Sequence, residues 1–226
     1  MEYIEEADYD SLIIPYQDAM ANLMTRLDSL NNDYRRKYKN YPIHHMQERI
    51  KKKESIEEKL RRKGCRVSAE EARENLTDIA GIRIICYFEE DIYHVLERIK
   101  RQTDILILQE KDYIRQEKEN GYRSLHIIVG IPVYHIDGMD YYPVEIQMRT
   151  MAMDLWASME HRICYKNEEK IGKDSPKKEP NVTNVISNIT DYGYTLDDRD
   201  TAYMKETFKE FAKELYQMEQ KLSEMK

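Results

Sequence analysis

Cysteine is nearly missing from this chain. Three thiols, Cys65, Cys86 and Cys164, stand among 226 residues, an odd number without C-x-x-C spacing, so neither a disulfide framework nor a zinc cage is indicated. Long apolar runs are missing too: none approaches the roughly 18 residues that a membrane span needs. The first ten residues carry five acids and no apolar h-region, unlike a secretory leader. A cytoplasmic protein with reduced thiols is the expectation, with Asn181-Val182-Thr183 and Asn188-Ile189-Thr190 as chance matches to a glycosylation triplet. No Walker A loop, G-x-G-x-x-G run or Ser/His/Asp order occurs. Glu160-His161 is one acid and one imidazole, short of the paired-histidine zinc motif. Nucleophilic catalysis by the protein is therefore unsupported.

What the chain has is charge, unevenly placed. The formal balance is −7 with a pI near 5.5, which argues against a surface that grips nucleic acid throughout. Yet Arg49 to Arg66 holds nine Lys or Arg against three Glu. That local reversal calls for an anionic partner, although a charge run is more often a solvated helix face.

The apolar pattern gives the elements. Tyr16, Met20, Leu23, Leu27, Leu30 and Tyr34 fall in steps of four and three, the seam of an amphipathic helix. Pro42 breaks it, and the spacing predicts a second helix from about Ile43 to Lys63, stopped by Gly64, with Ser55 and Glu58 as a capping box if it is interrupted. Ser68 caps a short helix. Ile82 to Phe88 is the first strong strand, followed by a helix from Glu89 to about Arg101 with acids first and bases last, as the helix dipole favours. Strands are expected at Ile105 to Tyr113, Ser124 to Val133 and Tyr141 to Arg149, the last two joined at Asp137-Gly138. A helix follows from Thr150 to Lys166, then a polar loop from Asn167 to Pro180. Residues 181–196 carry no assignment. In the last helix Met204, Phe208, Phe211, Leu215, Met218, Leu222 and Met225 form an unbroken seam, for this chain's own helices or for another subunit. The order implies an α+β domain, a mixed sheet flanked by helices.

Two carboxylates sit where strands are usually apolar: Asp78 just before the first strand and Glu145 inside Val144-Glu145-Ile146-Gln147. Acids converging at one end of a sheet assemble oxygen ligands for Mg²⁺; singly, each serves as well as a turn cap or an outward strand residue. Ser55 and Lys59 lie one helical turn apart with Arg49 and Lys51 upstream, donors able to converge on phosphate oxygens. Asn120-Gly121-Tyr122-Arg123-Ser124-Leu125-His126 places a glycine, an aromatic and an imidazole at a strand entrance. Tyr122 suits stacking on a nucleobase, or packing at an interface. Alternation sets Ser124 on the ligand side with Tyr122 and His126, and Arg123 and Leu125 opposite.

Together these stretches resemble the synthetase domain of RelA/SpoT-type (p)ppGpp synthetases, and the chain's size is that of a small alarmone synthetase. The matching runs are Arg49-x-Lys51-x-x-x-Ser55-Ile56-x-x-Lys59, Asp78-Ile79-Ala80-Gly81-Ile82-Arg83, Lys111-Asp112-Tyr113-Ile114, Lys118-x-Asn120-Gly121-Tyr122-Arg123-Ser124-Leu125-His126, Val144-Glu145-Ile146-Gln147-Met148-Arg149-Thr150 and Trp156-Ala157-x-x-Glu160-His161-x-x-x-Tyr165-Lys166. The resemblance implies a nucleotidyltransferase-like fold over residues 41–166, after an N-terminal helix in residues 1–40 and before a loop in 167–196 and a packing or oligomerisation helix in 197–226. It implies transfer of the β,γ-pyrophosphate of ATP to the 3′-hydroxyl of GDP or GTP with release of AMP, and no hydrolase domain. Asp78 and Glu145 would hold Mg²⁺ and carry catalysis. Arg49, Arg83, Lys51, Ser55 and Lys59 would bind ATP; Lys118, Tyr122, His126, Gln147 and His161 would bind the guanine nucleotide.

A homotetramer is implied by the same resemblance and the C-terminal seam. RNA binding stays open, as does a nucleotide- or RNA-binding regulator that kept the fold after losing turnover. Two departures from the family pattern stand out. Glu117 replaces the proline that commonly precedes the lysine at the Lys118 position, which is expected to loosen that loop. Gln109 replaces a basic residue, which is expected to remove one phosphate contact.

Overall fold

The computed structural model describes residues 3–39, 41–160 and 198–225. Helix α1, Glu6–Tyr38, begins ahead of Pro15 and buries Leu12, Pro15, Tyr16, Ala19, Met20, Leu23 and Leu27 on one side. This is the predicted seam, extended by two turns toward the N-terminus.

The expected helix from Ile43 to Lys63 is corrected. Ile43–Ile50 is strand β1, and helix α2 covers only Lys53–Lys63, capped at its end by Gly64 in the left-handed conformation. Its N-cap is Lys52 without a side-chain cap bond, so the Ser55–Glu58 capping box is not used. The first half of the stretch joins a sheet because β1 pairs antiparallel with β2, Ala80–Cys86. A ladder of backbone hydrogen bonds to a neighbouring strand outweighs the small local preference of such residues for helix. Helix α3, Ala69–Asn75, starts at Ser68 as expected, its hydroxyl accepting from the Glu71 N–H at 3.2 Å.

Helix α4, Glu89–Lys100, and strands β3, Leu106–Asp112, β4, Leu125–His135, and β5, Gly138–Thr150, follow, then helix α5, Met151–Glu160. The sheet order is β1-β2-β5-β4-β3, parallel only between β2 and β5. Its helix-covered face is a continuous apolar layer: Ile82, Ile84, Leu125, Ile127, Val129, Val144, Ile146 and Met148 are essentially inaccessible. Tyr16 of α1 lies edge-on to Tyr142 at 5.3 Å, and Arg98 of α4 donates to the Tyr34 hydroxyl of α1 at 3.3 Å. Both helices therefore cover that face.

The chain divides into two compact units. One comprises the residues up to Glu117 with Arg123–Met151 and contains the sheet. The other comprises Lys118–Tyr122 and the residues from Ala152 onward. In the second unit the C-terminal helix α6, Asp198–Ser223, buries Phe208 with Trp156 and Ala157, while Tyr122, Phe211, Ala212 and Leu215 pack around them. The Trp156 indole N–H donates to the Phe208 carbonyl at 2.7 Å. Thus Phe208, Phe211 and Leu215 of the C-terminal seam pack within the chain, whereas Met218, Leu222 and Met225 beyond them are exposed. His161, Cys164 and the 167–196 loop lie outside the described residues.

Candidate active site

The face of the sheet opposite α1 is polar, and strand register aligns its residues. Gln47, Arg83, Gln147, His126 and Lys111 are successive partners across β1, β2, β5, β4 and β3. Arg49, Gly81, Glu145, Ile128 and Gln109 form the adjacent row. Paired residues share a face of a sheet, so one surface holds two guanidinium groups on β1 and β2, a carboxylate on β5 and an imidazole on β4. Gly81 leaves the space between Arg49 and Glu145 free of a side chain. Gln47 was missed as a site residue because β1 was expected to be helical; the two-residue alternation of Gln47 and Arg49 was the available signal.

Glu145 is held from both sides. One carboxylate oxygen accepts from the Gln147 amide at 3.1 Å, and the other lies 3.8 Å from His126 Nδ1. His126 in turn meets the edge of Tyr113, centroids 5.3 Å apart. Ser124 differs from expectation: its hydroxyl donates to the Met148 carbonyl at 3.2 Å and the residue is fully buried. The position faces β5 closely enough that the hydroxyl is taken up by the sheet backbone.

Asp78 lies in the short link from α3 to β2. The Lys51 and Lys59 ammonium groups both donate to its Oδ2, at 2.8 and 2.5 Å. The Lys51 N–H donates to the Ile79 carbonyl at 2.8 Å, so the end of β1 delivers Lys51 while α2 delivers Lys59. Ser55 is exposed in the first turn of α2, where helix N–H groups favour anions. Asp78 Oδ1 is buried and has no hydrogen-bond partner. Burial pushes the Asp78 carboxyl up, but the two lysines outweigh it and hold the group below the usual carboxylate range.

That balance makes a pH prediction. A carboxyl depressed in the folded state contributes its stability above the unfolded value near 4 and loses it as pH falls through the lower folded value. Asp78→Asn is therefore expected to be less stable than the parent at neutral pH, with the gap closing as pH is lowered from about 5 to about 3. Urea melts across that range check it, and a pH-independent gap contradicts it.

Among the described residues no three His, Cys, Asp or Glu side chains converge as a metal cage. Mg²⁺ does not require one, since it is held by one or two carboxylates completed by phosphate oxygens and water. The buried, unbonded Asp78 Oδ1 and the Glu145 carboxylate fit such a donor set.

The second unit carries Lys118 and Tyr122. The Gly121 N–H donates to the Lys118 carbonyl at 2.8 Å and the Lys118 N–H to the Tyr122 carbonyl at 3.2 Å, closing a tight turn with Gly121 at φ +84°. Asn120 accepts from the Tyr122 N–H at 3.2 Å and donates to Glu160 at 3.2 Å. The Lys118 ammonium sits 4.9 Å from the Tyr122 ring centroid, and that ring meets Trp156 edge-on at 6.2 Å.

These features belong to a known family. The family model of the region found in RelA / SpoT proteins matches residues 48–170, and the chain belongs to that family. Over 199 residues it is 39% identical to the GTP pyrophosphokinase YwaC of Bacillus subtilis, covering 88% of this chain and 91% of the relative. Among solved structures it is similar to small alarmone synthetase 1 from Bacillus subtilis bound to its product pppGpp, with a TM-score of 0.75, 28% identity and 97% of each chain covered. The same synthetase bound to AMPCPP gives a TM-score of 0.68 at 25% identity, covering 96% of this chain and 94% of that one. The five-stranded mixed sheet flanked by helices is the fold of these synthetases.

Proposed function

We propose that the chain is a GTP pyrophosphokinase that moves the β,γ-pyrophosphate of ATP to the 3′-hydroxyl of GDP or GTP, making (p)ppGpp and releasing AMP. The observation that supports this best is the pairing of Asp78 with Lys51 and Lys59 on the same unit as the Arg49, Arg83, Glu145 and His126 face. Transfer of a phosphoryl-type group is carried mainly by positioning and charge neutralisation, which needs cations, carboxylates and base platforms rather than a protein nucleophile.

The roles follow from the chemistry of each group. Arg49 and Arg83 offer planar guanidinium faces for adenine. Lys51 and Lys59 turn from Asp78 to the triphosphate, with Ser55 and the first turn of α2 adding donors. Asp78 and Glu145 would hold Mg²⁺, which would supply charge neutralisation at the polyphosphate. Glu145 receives the 3′-hydroxyl proton as the oxygen attacks the β-phosphorus and the bond to the α-phosphate oxygen breaks, leaving AMP. His126 and Gln147 hold the acceptor. On the second unit Tyr122 stacks on guanine, a contribution of about 1–3 kcal/mol, and Lys118 and His161 serve the same nucleotide.

The working form is a cytoplasmic homotetramer. Support for assembly is the exposed Met218, Leu222 and Met225 continuing the α6 seam, and light scattering reads the mass. No described helix is long and apolar enough to cross a membrane. The function is tested by incubating the protein with ATP, GDP and Mg²⁺ and following AMP. Nucleotide binding without AMP release, unchanged by Glu145→Gln, would point instead to a regulator that binds nucleotide or RNA.

A further inference from the structure

The link from β3 to β4 leaves the sheet unit after Glu117 and rejoins it at Arg123. Its outer limb is pinned at the start. Asp112 accepts from the Ile114 and Arg115 N–H groups at 2.9 and 3.0 Å and from the Tyr93 hydroxyl at 3.0 Å, and Arg115 stacks on the Tyr93 ring at 4.7 Å. The Tyr113 N–H donates to the Ser124 carbonyl at 3.0 Å. Beyond that rung the limbs meet again at the tip, where the Lys118 N–H donates to the Tyr122 carbonyl at 3.2 Å, and between rung and tip through a pair of side chains. Arg123 Nε and Nη2 both donate to Glu117 Oε2, at 2.9 and 2.5 Å. The Arg123 side chain is 17% exposed and that of Glu117 54%, so the anchor is the better-buried arginine. Burial pushes the nearby Glu89 carboxyl up while Arg123 counters it, which places Arg123 beside the start of α4 as well.

We propose that the Glu117–Arg123 ion pair is a positioning clasp for the guanine-nucleotide acceptor, holding together the two points at which the Lys118–Tyr122 segment leaves and rejoins the sheet unit. This reverses the expectation that Glu117, in place of a proline, loosens the loop: an ionic tie between the ends takes over from ring stiffness. It rests on the reading of Tyr122 and Lys118 as acceptor-binding residues. A segment whose ends are free samples more conformations, and the apparent affinity of its ligand falls by the fraction that is competent. Because the pair is partly exposed, the effect is modest and salt-sensitive.

Calorimetric binding of GDP and of a non-hydrolysable ATP analogue to Glu117→Ala, Arg123→Ala and the double variant tests the clasp. Glu117→Ala is expected to raise the GDP dissociation constant about three- to fivefold, with the ATP analogue and the melting temperature unchanged. In the Arg123→Ala background the same change should have no further effect, because the partner is gone. The ratio of Glu117→Ala to parent for GDP should also shrink toward one in about 1 M salt. Equal weakening of both nucleotides, additive single effects, or unchanged GDP binding in Glu117→Ala overturns the clasp. A parent protein that binds no guanine nucleotide overturns the acceptor reading itself, and the clasp with it.

Discussion

Glu145→Gln should reduce AMP release by on the order of a thousandfold, since Glu145 is the residue proposed both to accept the proton and to hold the metal. The substitution keeps the side-chain volume on β5 and leaves an oxygen able to accept from Gln147, whose amide lies 3.1 Å away. The fold and the cations proposed to bind nucleotide are untouched. Nucleotide dissociation constants are therefore expected to stay within a few-fold of the parent while turnover collapses. Single-turnover AMP formation with saturating ATP and GDP reads this directly. Turnover within tenfold of the parent would remove Glu145 from both roles and leave Asp78 without its partner.

Gly121→Ala carries the second large effect, and it has two separable causes. The backbone at Gly121 has φ +84°, which costs an L-residue about 1–2 kcal/mol. An added Cβ would also stand 2.8 Å from the Ala212 Cβ of α6, and overpacking of that kind typically costs about 1–3 kcal/mol. The variant should therefore be less stable by about 2–5 kcal/mol and bind GDP more weakly, since the proposed guanine platform, Tyr122, is the next residue. Ala212→Gly opens the space and leaves the backbone strain, at its own helix-propensity cost of about 1 kcal/mol, so Gly121→Ala should cost roughly half as much when introduced into Ala212→Gly as into the parent. Melts of the single and double variants check the division. A Gly121→Ala protein as stable as the parent would contradict the close packing of this turn on α6.

Which parts of this structure could be read from the sequence follows from which forces are local. Strands β2 and β4 are rich in β-branched residues, β5 alternates buried and half-buried positions from Tyr142 to Met148, α4 is charged at its ends in the sense of its dipole, and Gly64 and Ser68 are end signals with a local cause. Strand β1 is different. His44, His45, Gln47, Glu48 and Arg49 have no strand preference of their own, and the stretch is extended because β2 offers an edge to pair with. The error there also hid Gln47 and the row it heads. Asp78 could be read as an acid in an unusual place, but its pairing with Lys51 and Lys59 depends on the end of β1 and α2 converging on one oxygen. Ser124 was misplaced because alternation gives a side, whereas the Met148 carbonyl decides whether the hydroxyl is open.

Glu117 shows the same limit from another direction. Seen alone, an acid in place of a proline removes stiffness. Its arginine partner stands six positions on, at the far end of an excursion whose closure only the folded chain reveals.

The measurement that bears most directly on the function is the product analysis of the parent protein with ATP, GDP and Mg²⁺ by ³¹P NMR or ion-exchange separation. One AMP is expected for every guanine nucleotide that gains a 3′-pyrophosphate. Well-folded protein that yields neither product, or that releases ADP or free phosphate in place of AMP, would contradict pyrophosphate transfer.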